Sequence, residues 1–168
     1  MRELIEAERD IWKRGGCSGW VLQEFILRHG RECVAQPLPR RFRKRIPKAC
    51  YWNAQALVKQ VGGRLAYCEG YVTLPKCPIL ILHAWALDDH DRVIDPTIGE
   101  PGRSEYFGVP FGWKDFLRLR PRAGGGPFLD GPCGFQTGLW LEFDPSFKEV
   151  LAEAGFAFKN RSKKLDAA

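Results

Sequence analysis

The apolar positions fall into two regimes. Early in the chain they recur at helical spacing, over 2–14 and again over 20–29, where Trp20, Phe25 and Leu27 are among them. Glycines stop both stretches, Gly15-Gly16 after the first and Gly30 after the second. From residue 64 the apolar residues gather in strand-sized runs, 64–73, 79–87 and 92–95. Between the regimes, 33–48 holds three prolines and a basic cluster, which predicts an irregular or extended surface segment. Pro47 stands as a helix-start proline. A central helix is therefore expected over 48–61, with Ala49, Ala54, Ala56, Leu57 and Val61 apolar and Gly62-Gly63 ending it.

Pro75 and Pro78 fall in the connection between the first two strands, and Asp88-Asp89-His90-Asp91 forms a polar turn before the third. After Thr97 the pattern weakens. It still gives a strand over 106–111, a short helix over 113–119, a flexible loop at Gly124-Gly125-Gly126-Pro127, and a late helix over 146–154 behind Pro145. Helices, a central helix on antiparallel strands, then peripheral pieces define an α+β fold. At 168 residues the chain suits one domain over 1–168. Its parts are N-terminal helices and a basic loop (1–46), a core (47–97) and C-terminal elements (98–168).

Composition narrows the classes. The first residues are charged and amphipathic and lack the apolar stretch of a signal peptide. No apolar run approaches the roughly 18 residues that span a bilayer, so a cytoplasmic protein without a membrane partner is expected. Six cysteines (17, 33, 50, 68, 77 and 133) include no C-x-x-C pair, and there are only three histidines, 29, 83 and 90. A structural zinc site is not expected, nor any other metal or cofactor. Most of these thiols read as small buried hydrophobes. The net charge of +6 is uneven, with Arg40, Arg41, Arg43, Lys44, Arg45 and Lys48 crowded just before Cys50. That cluster is a solvated loop, a site for an anionic partner such as nucleic acid, or a field acting on the Cys50 thiol. The basic tail Lys159-Asn160-Arg161-Ser162-Lys163-Lys164 is expected to fray.

Three residues carry candidate chemistry: Cys50 near a helix start, His83 in an apolar strand, and Asp95 at the end of the next. A thiol attacks a carbonyl well only as the thiolate. A helix start offers partial positive charge and free N–H groups, and an imidazolium nearby does the rest. With a three-residue turn at 88–90, position 87 pairs with 91 and position 83 with 95, so His83 and Asp95 share a sheet face. A four-residue turn would pair 83 with 96 and part them. On the shorter turn His83, Trp85, Val93 and Asp95 share the face that the Cys50 helix would cover. Asp95 would then orient the imidazole.

The strings Cys50-Tyr51-Trp52-Asn53-Ala54, Glu69-Gly70-Tyr71, His83-Ala84-Trp85 and Val93-Ile94-Asp95-Pro96-Thr97 resemble the transglutaminase-like superfamily over about residues 47–97. The resemblance implies a papain-like core with a Cys-His-Asp triad at Cys50, His83 and Asp95. It also implies a peptide or amide substrate. Lys48-Ala49 stand where the family more often has glycine before the cysteine, no acidic calcium loops are present, and no glutamine precedes Cys50 at papain spacing.

Asn53, one turn after Cys50, either faces the site as an oxyanion or substrate contact or caps locally. Glu69 shares parity with Tyr67 and Tyr71 and points either to the cleft or to solvent. Trp85 either shields His83 or packs. The run 106–111 walls a groove or fills the core, and His90 is an exposed turn residue. Two functions follow. One is a cysteine-dependent hydrolase or acyltransferase acting on an amide or peptide carbonyl. The other is a non-catalytic module that binds nucleic acid or protein through 40–48.

Overall fold

The computed structural model describes residues 1–75, 77–131, 134, 135 and 137–156. Cys133 and the basic tail from Lys159 lie outside them. The first two helices stand where their glycine stops place them: α1 is Arg2–Arg14 and α2 is Trp20–His29. A short strand follows, β1 (Arg31–Cys33), too brief to display an alternation in sequence. The proline-rich segment after it runs over the surface to α3 (Cys50–Gln60), which ends before Gly62 and Gly63 at φ 62° and 78°. A left-handed backbone is open to glycine at little cost, so this pair stops the helix.

The later strands are β2 (Ala66–Leu74), β3 (Cys77–Leu87), β4 (Val93–Ile94) and β5 (Glu105–Phe111). Pro78 belongs to β3 and not to the preceding turn. Among the described residues three α-helices follow: α4 (Trp113–Ala123), α5 (Thr137–Phe143) and α6 (Lys148–Glu153). The loop at 124–127 is held to α3, because Gln55 Nε2 donates to the Gly126 carbonyl at 2.7 Å.

The sheet order is β1-β5-β2-β3-β4, with every neighbour antiparallel. Five alternating strands leave the two outer ones pointing the same way, so any seam between them must be parallel. It is: Val34 pairs with Arg92 in a parallel bridge, with Val34 N to Asp91 O at 2.8 Å and Val93 N to Val34 O at 2.9 Å. The sheet thus curls until its edges meet.

Inside the curl lie Cys68, Val72, Trp85, Leu87, Val93 and Tyr106. The larger core lies outside it, where Ala54, Leu57 and Val58 of α3 pack with Ala84, Ala86 and Ile94 and with α2 and α4. The central helix therefore covers the face opposite His83 and Trp85, not the face they occupy. Alternation assigns two faces to a strand but does not say which one a helix covers. Glycine at 108 has a packing reason, since a Cβ there would stand 2.7 Å from the Trp85 ring. Cys17 is exposed and Cys33 and Cys77 half-buried, so the thiols are less uniformly buried than expected. No helix among the described residues is long and apolar enough to cross a membrane.

Candidate functional site

Cys50 is the first residue of α3, with Ala49 as its cap. The sequence places it a turn inside a helix begun at Pro47. Instead the chain passes Pro47, turns through Lys48 at φ 61°, and enters the helix at Cys50 itself. The Cys50 N–H thus lies outside the i→i−4 ladder, at the positive end of the helix dipole.

The turn between β3 and β4 is longer than the three-residue closure. Leu87 pairs with Val93 and Ala86 with Ile94. Asp88 widens the turn by accepting the His90 and Arg92 N–H groups at 3.0 Å each. Continued, this register sets Trp85 opposite Asp95, two positions from the expected pairing. A slip of two preserves the face, because the side-chain period is two. His83 and Asp95 therefore meet diagonally, with Nε2 and Oδ2 2.7 Å apart.

Asp95 is fully buried and its carboxylate is saturated. Oδ2 accepts His83 Nε2–H and the Tyr106 hydroxyl (3.0 Å), while Oδ1 accepts the backbone N–H groups of Thr97 (2.7 Å) and Ile98 (3.2 Å). The Asp-Pro-Thr string is at once a turn and the histidine's partner. Burial raises the Asp95 pKa, but the His83 bond and charge and the two N–H donors outweigh it and hold the group below its ordinary value. Tyr106, read from sequence as groove wall or core, is a third side chain of this network. Its pairing with Val72 across β5 and β2 brings it there, and local pattern does not encode that pairing.

β4 borders β3 only at Ala86 and Leu87, so β3 is an edge at His83, and α3 packs against β3. His83 faces into the curl and α3 lies outside it, yet the Cys50 side chain comes near enough to act on the imidazole pKa. Burial lowers the His83 pKa, but hydrogen bonds to Asp95 and Cys50 and their charges raise it to about 9. With Nε2 committed to Asp95, Nδ1 is the nitrogen for the thiol. Cys50 is 9% exposed and His83 5%. Trp85 is buried, stacks at 19° to the imidazole with 6.2 Å between centroids, and meets Tyr106 edge-on at 5.1 Å.

Two sequence candidates point elsewhere. Asn53 donates one amide hydrogen to the Ile46 carbonyl (2.6 Å) and one to Thr97 Oγ1 (3.0 Å). It ties the basic segment and the Asp-Pro-Thr turn to α3, and its donors are not left for an oxyanion. Glu69 is buried on the outer face, away from His83. It accepts the Tyr67 hydroxyl (2.5 Å) and the N–H groups of Phe128 (2.5 Å) and Leu129 (2.8 Å). It anchors the segment after α4 and meets neither a cleft nor solvent.

In the basic segment Arg40, Arg41, Arg43, Lys44 and Lys48 are exposed and Arg45 is half-buried. Arg45 N donates to the Pro96 carbonyl (2.9 Å), its guanidinium to Gln60 Oε1 (2.6 Å), and Lys44 Nζ to the Gly99 carbonyl. Among the described residues none of these six forms an ion pair. No group of three or more histidine, cysteine or acidic side chains is placed to hold a metal among the described residues.

Comparison with protein-family models, with curated proteins and with solved structures finds no match to this chain.

Proposed function

We propose that this chain is a cysteine-dependent hydrolase or acyltransferase of transglutaminase-like, papain-like design, acting on an amide or peptide carbonyl. The observation that carries the reading is His83, held on Nε2 by a buried, fully hydrogen-bonded Asp95 and near enough to Cys50 for the thiol to help raise its pKa. The proton shared by the pair sits on His83 Nδ1 as the Cys50 sulfur attacks the carbonyl carbon. The Cys50 backbone N–H, at the helix start, serves the oxyanion. As the C–N bond breaks, His83 returns that proton to the leaving amine, and a thioester remains. Water or a second amine then attacks the thioester, His83 takes its proton, and the thiol is released. Asp95 keeps the imidazole oriented throughout, and Trp85 and Tyr106 keep water from the pair.

The test is an amide-mimicking electrophile followed by peptide mapping. Labelling of Cys50 ahead of the exposed Cys17 supports the reading; labelling of Cys17 and Cys77 with Cys50 untouched sinks it. The exposed cations of 40–48 support a second reading, a non-catalytic module that holds nucleic acid. It predicts oligonucleotide retention that falls steeply with salt and is indifferent to Cys50→Ala.

A further inference from the structure

The basic segment is built around a hollow, and the hollow lies at a defined distance from Cys50. Arg41, Phe42, Arg43 and Arg45 meet Leu57 and Gln60 of α3 around a surface cavity of about 270 Å³. Three arginines thus line one small concavity, and among the described residues no acidic side chain pairs with any of them. The wall is fixed in place: Arg45 is held by Gln60 and by the Pro96 carbonyl, and the next residue, Ile46, by Asn53. Arginines gathered without a counter-charge give the hollow a positive potential that favours an anion.

Helical rise sets the spacing. Leu57 and Gln60 stand about 10 Å and about 15 Å along α3 from Cys50. That is about three to four residues of extended peptide. Ile46, next in the chain to Arg45, is 62% exposed and apolar. The aromatic ring in the hollow is not a stacking platform for bases, because the Arg41 guanidinium covers it at 5.0 Å from the centroid. A compact triple-arginine hollow suits one anionic group more than a polynucleotide backbone.

Taking the cysteine-hydrolase reading as its basis, we infer that the hollow is an anion subsite. It takes a peptide substrate carrying a carboxylate or phosphate three or four residues from the bond cleaved at Cys50. The arginines contribute binding energy at a distance from the chemistry and set which bond is presented.

Two probes test this. The first is a fluorescent hexapeptide containing one glutamate or one phosphoserine, titrated against Cys50→Ala protein, so that binding is read without turnover. Glutamate and phosphoserine peptides binding over their glutamine and serine counterparts, with a loss of about tenfold or more in Arg41→Gln/Arg43→Gln, is the expected result. The two peptides also distinguish carboxylate from phosphate as the natural group. The second is a peptidyl chloromethyl ketone with glutamate or glutamine three or four residues from the electrophile. Faster labelling of Cys50 by the glutamate form, equalised in the double variant, is expected. Equal binding of charged and neutral peptides overturns the subsite, as does a dT oligonucleotide that binds through the same arginines while the peptides do not. Iodoacetamide distinguishes the two failures. Selective modification of Cys50 without a charge preference removes the subsite and leaves the hydrolase. Acidic-peptide binding without selective modification leaves the anion site and removes the hydrolase.

Discussion

At the residue scale, Asp95 is a carboxylate fully withdrawn from water. A fully buried carboxylate would cost several kcal/mol without partners, and four hydrogen bonds with an imidazolium offset that cost. Asp95→Asn keeps the shape and removes the charge. It is expected to lower stability by about 3 kcal/mol and to slow Cys50 acylation by at least about a hundredfold. Urea melts and acylation rates measure the two effects, and a variant as stable and as fast as the wild type removes Asp95 from the account. Tyr106→Phe is subtler. The loss of one hydroxyl donor to a buried carboxylate costs about 1–3 kcal/mol. Asp95 then holds a proton to higher pH, so the acid limb of Cys50 alkylation moves upward. An unmoved acid limb would show that Tyr106 only packs.

At the element scale, Trp85 and Gly108 are matched across the curl. Gly108→Ala drives a methyl to 2.7 Å from the indole and 2.6 Å from the Glu69 carbonyl, which predicts a loss of about 1–3 kcal/mol. Adding Trp85→Phe should recover part of it, and a double-mutant cycle with no coupling energy would contradict the packing. This contact is long-range, and that explains what sequence could not convey. The helices 2–14 and 20–29 and the end of α3 were legible because glycine punctuates them locally. The shared face of His83 and Asp95 was legible because alternation fixes parity. The register was not, because Asp88 to Asp91 offers several polar closures and the choice depends on the Asp88 side chain gripping His90 and Arg92. Cys50 stands a turn nearer the helix start than Pro47 suggests, because a proline marks the neighbourhood of a helix start without fixing its first residue. The tethering role of Asn53 and the burial of Glu69 depend on partners 44 and 59 residues away, Thr97 and Phe128.

At the scale of the whole molecule, the curled sheet and the outer helices hold an ion pair whose protonation is linked to folding. The His83 pKa rises on folding from 6.5 to about 9, worth about 3 kcal/mol. A raised folded value means the contribution is complete below the unfolded pKa, near 6.5, and fades as pH climbs through 9. The Asp95 value is depressed, so its contribution is present above the ordinary carboxylate range and is lost as pH falls through the folded value. Urea melts of wild type and His83→Gln should therefore differ most between these limits. The gap should shrink by about 3 kcal/mol on going from about pH 6.5 past 9, and a constant gap would contradict the pairing. The central claim, that His83 makes a nearly buried Cys50 the nucleophile, is tested most directly by mapping iodoacetamide modification rates at about pH 6.5. In the wild type Cys50 is predicted to react about tenfold or more faster than the exposed Cys17, and in His83→Gln that advantage vanishes. Cys17 reacting faster in both proteins, with Cys50 indifferent to the histidine, would contradict it.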